Sequence, residues 1–171
     1  MGALPRKLRV IGSVEDMIAL GDETWFKPLA REIVPPPAPV ARALRLGPAE
    51  RVARITGVRK TDDAPFQHVT AYLPERVGRA ILDEDLTRTS VVATIERKLA
   101  LPIKFVEQVV DVVLASKEVA ALLNVPPRTP LLHFQRTYFS DGGEPVEHAL
   151  TYQVGARYPY KVLLFRSGRR G

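Results

Sequence analysis

The chain of 171 residues contains no cysteine. This absence excludes disulfide bonds, zinc sites built from thiolates and cysteine nucleophiles. No apolar run approaches the roughly 20 residues that a membrane-spanning helix needs. The basic N-terminus, MGALPRKLRV, is not followed by the apolar segment of a secretory signal. The sequence therefore predicts a cytoplasmic protein that makes no membrane contact.

The charge of the chain is positive but spread out. The formal net charge is +6, and hydrophobic and charged residues make up 46% and 26% of the chain, a balance typical of globular domains. A chain of this length favours a single domain. The arginines are scattered from Arg6 to Arg170 and do not gather on one predicted helix. Composition therefore gives little support to nucleic-acid binding by this segment itself.

Residues 1–34 differ in character from the rest. GSVEDMIALGDE predicts a short helix with Ser13 as its N-cap and Gly21 as its stop signal. TWFKPLAREIV predicts an extended arm, and PPPAP (35–39) predicts a stiff spacer that no helix can cross. We therefore interpret residues 1–34 as a connector and expect the folded domain to span residues 35–171.

From residue 40 the same pattern occurs twice. LGPAERVARI (46–55) and VPPRTPLLHF (125–134) each join a helix end to an apolar strand through a proline-containing turn. Each strand is followed by a hairpin and a return strand, with SDGGEP as the clearest turn signal. Equivalent residues are 79 positions apart before the hairpin and 80 after it, as in Pro48 and Pro127 or His68 and His148. The repeat predicts two helix-plus-hairpin halves of one sheet, with a cleft between them.

The remaining segments complete an α+β domain. A helix is predicted from Thr89 or Ser90 to Leu99, followed by a valine-rich strand, IKFVEQVVDVVLA, and a last strand, KVLLFR (161–166). The total is about six strands and four helices. Because hairpins make most of the connections, we expect a mainly antiparallel sheet.

The order of these pieces carries a family resemblance. A helix with LG and proline leads to a strand with RI..VR, a hairpin, a strand ending in YLP, and then DL...S and a helix. After the valine-rich strand come LL.VPP.TPLL, the hairpin DGGEPVEH and a late RYPY. From about Leu29 to Arg166, this order resembles the UTRA domain, the effector-binding module of GntR-family transcription regulators of the HutC subfamily.

The resemblance implies a chorismate lyase-like fold and a function in repression or activation of transcription. A small-molecule effector would change the DNA affinity of a winged helix-turn-helix domain on the N-terminal side, in a homodimer. No helix-turn-helix pattern precedes residue 34. We therefore expect residues 8–34 to be the linker from a DNA-binding domain that this chain lacks.

The resemblance also implies effector-binding positions on the first hairpin. Relatives that bind phosphorylated sugars carry two arginines, where this chain has Gly57 and Arg59, and a glutamate where it has Val69. A guanidinium suits an anionic group, so we expect Arg59 to contact a smaller or more apolar acid. The alternative is that Arg59 is a solvated residue at a strand end.

Further positions come from the helix start and the second hairpin. Ser90 matches a serine that helps to hold an anion at a helix N-terminus, although it could serve only as a cap. Glu147 matches an acidic position, and Thr151 and Gln153 share its face by alternation. Arg136 is a candidate site residue and an alternative salt-bridge partner of Glu147.

Tyr158 completes the candidate set, because ARYPY matches the closing RY of the family and would shape one wall of the pocket or pack the strand end. The three histidines lack a local spacing suited to zinc, so we expect no metal and no cofactor.

Two other functions stay open. A lyase-like enzyme acting on a small acid would need a positioned acid or base, for which Glu147 is the candidate; we expect no enzymatic activity. A pure dimerisation module would have a sheet face filled by side chains.

Overall fold

The computed structural model describes residues 10–62 and 64–166. Within these residues the strands are β1 (Val10–Ile11), β2 (Trp25–Val34), β3 (Val52–Lys60), β4 (Pro65–Pro74), β5 (Ile103–Leu114), β6 (Pro130–Ser140), β7 (Pro145–Gln153) and β8 (Lys161–Val162). The helices are α1 (Val14–Glu23), α2 (Ala38–Ala43), α3 (Glu75–Arg79), α4 (Val91–Leu99) and α5 (Lys117–Leu123).

Six of the strands form one sheet in the order β2-β3-β4-β7-β6-β5, and every neighbouring pair is antiparallel. The short strands β1 and β8 form a separate parallel pair. The prediction of an α+β fold with a six-stranded antiparallel sheet is confirmed.

The sheet consists of two equivalent halves, β2-β3-β4 and β7-β6-β5. They meet where β4 pairs with β7, and Thr70 lies opposite Leu150, its equivalent in the repeat. Each half runs helix, strand, helix and hairpin, as α1-β2-α2-β3-β4 and α4-β5-α5-β6-β7. The repeat therefore includes a helix and a strand more than the sequence analysis recognised.

The sheet extends into the predicted connector. Strand β2 pairs with β3 along its whole length, from Trp25 opposite Lys60 to Val34 opposite Val52. This pairing moves the start of the folded unit ahead of the expected boundary at residue 35. Residues 1–9 of the predicted connector lie outside the described residues.

Two smaller expectations need correction. The predicted strand KVLLFR is limited to Lys161–Val162, so the sixth strand of the sheet is β2 rather than the C-terminal segment. Gly21 does not stop α1, which continues to Glu23. Its missing side chain instead lets the helix approach residues 89–90 closely. Ser13 is the N-cap of α1 as predicted and accepts a hydrogen bond from the Asp16 N–H.

Helices cover both faces of the sheet. Helices α1, α3 and α4 contribute Ile18, Val77 and Ile95 to the larger core cluster on one face. Helices α2 and α5 cover the other face through smaller clusters that contain Val40 and Leu123. No helix among the described residues is long and apolar enough to cross a membrane.

Candidate functional site

A cavity of about 60 Å³ lies on the sheet face that α1 and α4 cover. Alternate residues of the four inner strands β3, β4, β6 and β7 form its floor, and α1 and the first turn of α4 form its walls. Both halves of the repeat line it, as expected for a cleft between them. The volume holds a few water molecules, since one needs about 10–15 Å³.

The floor is polar although its side chains are almost fully buried. Its charged and hydroxyl side chains are Arg59, Arg136, Tyr138, Glu147 and Thr151, each no more than 9% exposed. Polar groups at such depth destabilise a fold unless they are paired. Their presence among Ile55, Val69 and other apolar residues therefore indicates a function other than packing.

Arg59 joins three structural elements. Its guanidinium donates to the Thr24 hydroxyl at 3.0 Å, to the Thr89 carbonyl at 3.2 Å and to the Gly21 carbonyl at 3.4 Å, and it lies over the Phe26 ring. Burial lowers the pKa of Arg59 to about 10, so it is a cation at neutral pH. Arg59 thus ties the end of α1 to the start of α4, and it is not a solvated strand-end residue.

Glu147 is the unusual group of the cavity. Its side chain is buried, and its Oε2 atom has no hydrogen-bond partner. Burial raises the pKa of Glu147 to about 8, although the charges of Arg136 and Arg59 act in the opposite direction. Glu147 is therefore mostly neutral at pH 7, and the two arginines give the cavity a net positive charge.

Arg136 does not pair directly with Glu147 across the hairpin. Its cross-strand neighbour is Ala149, while Glu147 lies opposite Tyr138. The Nε of Arg136 donates to Gln108 on β5, and the guanidinium lies 4.6 Å from the centre of the Phe134 ring. The edge strand β5 consequently holds Arg136 in place, while the Arg136 side chain lines the cavity.

Ser90 lies where α4 points its N-terminus into the cavity. Its hydroxyl accepts a hydrogen bond from the Ala93 N–H, and Ser90, Val91 and Val92 line the wall. A helix N-terminus presents free N–H groups and the positive end of its dipole. The structure thus shows the cap and leaves Ser90 available for an anion as well.

Three of the predicted residues are not among those that line the cavity. Gly57 is covered by Phe26, whose ring atoms would lie 2.3–2.5 Å from an added Cβ. Gln153 donates to the Tyr158 carbonyl and accepts from Gln67, which itself lines the cavity. The Tyr158 ring stacks on Phe66 of β4 at 4.4 Å between ring centres, so it packs against the sheet and does not line the cavity.

Several lining residues were missed by the sequence analysis. They include Met17, Leu20 and Gly21 of α1, Phe26 of β2, and Tyr138, whose pKa burial raises to about 12. Those of α1 and β2 fall in the predicted connector, where the periodicity of α1 was the available signal. Tyr138 is the repeat equivalent of Arg59, so the 79-residue offset would have found it.

The histidines are on other surfaces of the sheet. His133 contacts Asp111 at 2.8 Å and stacks on Tyr152, while His148 shares a hydrogen bond with Thr137. Within residues 10–62 and 64–166, no three acidic or histidine side chains are grouped as a metal site.

Comparison with known proteins identifies the family. The UTRA domain family matches residues 19–159, most of the chain. The chain belongs to the UTRA domain family. Its fold matches the ligand-binding domain of a GntR-family transcriptional regulator from Bordetella bronchiseptica with a TM-score of 0.79 and 25% identity, over 94% of this chain and 99% of that one.

Two curated relatives are similar to this chain over most of its length. The HTH-type transcriptional repressor NagR of Bacillus subtilis is 27% identical over 147 residues, which cover 85% of this chain and 60% of NagR. The HTH-type transcriptional regulator Rv0792c of Mycobacterium tuberculosis is 31% identical over 134 residues, 77% of this chain and 49% of the relative. The chain thus spans about half of these relatives. It is homologous to effector-binding domains of regulators, and an enzyme is not favoured.

Proposed function

We propose that this UTRA domain senses a small anionic metabolite, a carboxylate or a phosphate, in the cavity between α1 and α4. The observation that carries the proposal is the buried charge of the cavity. Arg59 and Arg136 supply two cations, while Glu147 is held mostly neutral by burial. A buried site with this excess positive charge is stabilised by an anion more than by a neutral molecule.

The unpartnered Oε2 of Glu147 supports a second feature of the effector. A buried carboxyl oxygen without a partner costs about 1–3 kcal/mol, which a hydrogen-bonding group on the ligand would recover. Because the neutral Glu147 carboxyl can both donate and accept, we infer that the effector carries a hydroxyl next to its anionic group. The anionic group would face Arg136 and the N-terminus of α4 near Ser90.

The size of the cavity suggests how binding is relayed. A space of about 60 Å³ is small for a metabolite, so we infer that the walls move apart when one binds. Helix α1 is the element that Arg59 holds against α4 through the Gly21, Thr24 and Thr89 oxygens. An effector that competes for the Arg59 guanidinium would loosen α1 and shift the domain between two conformations.

The proposed output would need a DNA-binding domain besides this one. Both curated relatives are named as HTH-type regulators, and this chain spans only 60% and 49% of their length. We propose that the output is control of DNA binding by an N-terminal winged helix-turn-helix domain, to which residues 1–24 lead. The whole protein would act in the cytoplasm as a homodimer and, by analogy with NagR, as a repressor.

A ligand screen tests the proposal. The purified chain is heated with small acids, amino-acid catabolites, sugar phosphates and uncharged sugars. A ligand at 100 times its Kd adds about 2.7 kcal/mol to the free energy of unfolding, so an anionic binder should raise the melting temperature. Calorimetry then gives its Kd.

Matched variants locate the binding. Arg136→Gln should weaken the anionic ligand at least tenfold, whereas Arg54→Gln, which lies on the opposite face of the sheet and pairs with Glu32, should leave its Kd unchanged. Stabilisation by neutral compounds only, or equal Kd values for both variants, would refute the anion site.

A further inference from the structure

The segment that follows β7 returns across the sheet and brings Tyr160 beside the cavity. The Tyr160 ring meets Phe134 of β6 edge-on, with 5.1 Å between ring centres, and its hydroxyl oxygen lies 2.7 Å from Nε2 of Gln108 on β5. Phe134 alternates with Arg136, and Gln108 lies opposite Arg136, so all three side chains share one face of the sheet. Tyr160 therefore packs on the face that carries the cavity.

Gln108 connects Tyr160 to Arg136. The Nε of Arg136 donates to the Gln108 side-chain oxygen at 2.5 Å. Because a guanidinium only donates, the amide must turn its oxygen to Arg136 and its nitrogen to Tyr160, whose hydroxyl oxygen accepts. Arg136 also lies over the Phe134 ring, at 4.6 Å from its centre. A displacement of Tyr160 thus reaches Arg136 by two routes, through the amide and through the ring.

The first half of the repeat lacks this polar chain. At the positions equivalent to Gln108 and Arg136 it has Leu29 and Gly57. Strand β2 pairs with β3 there all the same, from Trp25 to Val34. The sheet therefore forms without such a chain, and the presence of Gln108 and Tyr160 beside Arg136 indicates a function at the cavity.

Tyr160 also adjoins the strand pair formed by β1 and β8. Lys161, the next residue, lies opposite Val10, and Val162 lies opposite Ile11. Two residues on each side are too few for a stable pair on their own, so the pair depends on its anchors. Tyr160 is the anchor on the side of β8. On the side of β1 the anchor is α1, which begins at Val14 and lines the cavity.

We propose that Tyr160 is a positioning residue of the anion site. It orients the Arg136 guanidinium through Gln108, and the same contacts make the pairing of β1 with β8 depend on Arg136. The inference rests on the proposed function, since Arg136 is a group that would hold the anion. An anion that draws Arg136 into the cavity would pull Gln108 from Tyr160 and loosen β8. The element with two arrangements that such coupling requires is the β1–β8 pair, either closed or open.

Hydrogen exchange tests the coupling without any ligand. Tyr160→Phe removes one oxygen and keeps the ring on Phe134, and Arg136→Met removes the donor at the other end. Each should accelerate exchange of residues 10–11 by about fivefold, as for one lost hydrogen bond, while residues 52–60 stay unchanged. Because both substitutions break the same chain, the double variant should exchange no faster than either single one. Tyr152→Phe, the same change on the opposite face of the sheet, is the matched control.

NMR of the Arg136 side chain separates positioning from a local effect on the C-terminal segment. The Arg136 Nε–H resonance, assigned by its loss in Arg136→Met, should shift in Tyr160→Phe and stay in place in Tyr152→Phe. The proposal is overturned if this resonance or the exchange of residues 10–11 is the same in wild type and Tyr160→Phe. Additive effects of the two substitutions would also overturn it.

Inorganic phosphate and acetate distinguish this proposal from the anion site itself. An anion that binds wild type should have a Kd about fivefold higher in Tyr160→Phe and an unchanged Kd in Tyr152→Phe; equal Kd values in all three proteins contradict the positioning role. If neither anion binds wild type, the anion site fails, while the exchange and NMR measurements still decide the role of Tyr160.

Discussion

The raised pKa of Glu147 gives a direct test of the buried site through its effect on stability. The pKa is 4.5 for an ordinary glutamate and about 8 in the folded chain, because the carboxyl is buried. The folded state therefore holds a proton that the unfolded state releases between these two values. On this account the folded state has its full stability below pH 4.5 and loses stability as the pH rises towards 8.

The size of this effect follows from the shift. Each pKa unit is worth about 1.4 kcal/mol, so the ionisation of Glu147 removes roughly 5 kcal/mol of stability once the pH exceeds 8. Glu147→Gln keeps the shape of the side chain and removes the ionisation. The variant should match wild type within about 1 kcal/mol at pH 4.5 and be more stable by several kcal/mol at pH 8.5.

Urea unfolding of wild type and Glu147→Gln at half-unit steps from pH 4.5 to 9 measures this difference in the free energy of unfolding. The contributions of the other titrating groups cancel, because both proteins contain them. Glu107→Gln, at an exposed position of β5, controls for the loss of one negative charge. A difference between Glu147→Gln and wild type that is flat with pH would refute the reasoning. A wild type that gains stability relative to the variant as the pH rises would show an ionised Glu147 paired with the arginines.

Three further substitutions test the walls of the cavity. Arg59→Met removes all three hydrogen bonds of the guanidinium and should lower the free energy of unfolding by about 3 kcal/mol, with hydrogen exchange increasing first in α1; a uniform increase would contradict this. Gly21→Ala places a methyl group 2.5 Å from the Ser90 nitrogen and should cost about 1–3 kcal/mol in a thermal melt, whereas Gly142→Ala, 3.8 Å from its nearest neighbour, should cost little. Ser90→Ala removes the N-cap of α4 and Ser116→Ala that of α5, so each should cost about 1 kcal/mol. Calorimetry should show weaker effector binding for Ser90→Ala alone.

The main sheet could largely be predicted from the sequence because its signals are local. Alternating apolar residues, the Asp141-Gly142 turn and the two proline turns indicate the two hairpins that become β3, β4, β6 and β7. Alternation also correctly places Glu147 and Thr151 on one face. Strand β2 was recognised as extended, but its membership of the sheet depends on pairing with β3, which no pattern within residues 25–34 specifies.

The details of the site depend on contacts between distant segments. The covering of Gly57 by Phe26 and the bond from Arg136 to Gln108 are set by the register of whole strands. The pairing of Gln153 with Gln67 spans 86 residues. The residue types predicted that Arg136 would form a salt bridge and suggested Glu147 as its partner. The β5–β6 register provides Gln108 instead, which leaves the Glu147 oxygen unpaired.

The repeat also explains why the cavity lies at the centre of the sheet and why it is asymmetric. Its floor is built from equivalent positions of the two halves, namely Arg59 and Tyr138, Gln67 and Glu147, Val69 and Ala149, and Ala71 and Thr151. The exceptions are the pair Gly57 and Arg136, of which only Arg136 lines the cavity, and the pair Ile55 and Phe134, of which only Ile55 does. Gly57 accommodates Phe26, whose equivalent Phe105 instead stacks on Phe139 at the rim of the sheet. A symmetric pair of halves thus surrounds the cavity, while substitutions at paired positions make its polar lining differ between the halves: Arg136, Tyr138, Glu147 and Thr151 lie in the second half, and Arg59 and Gln67 in the first. A small metabolite with distinct anionic and hydroxyl ends needs a site with that asymmetry.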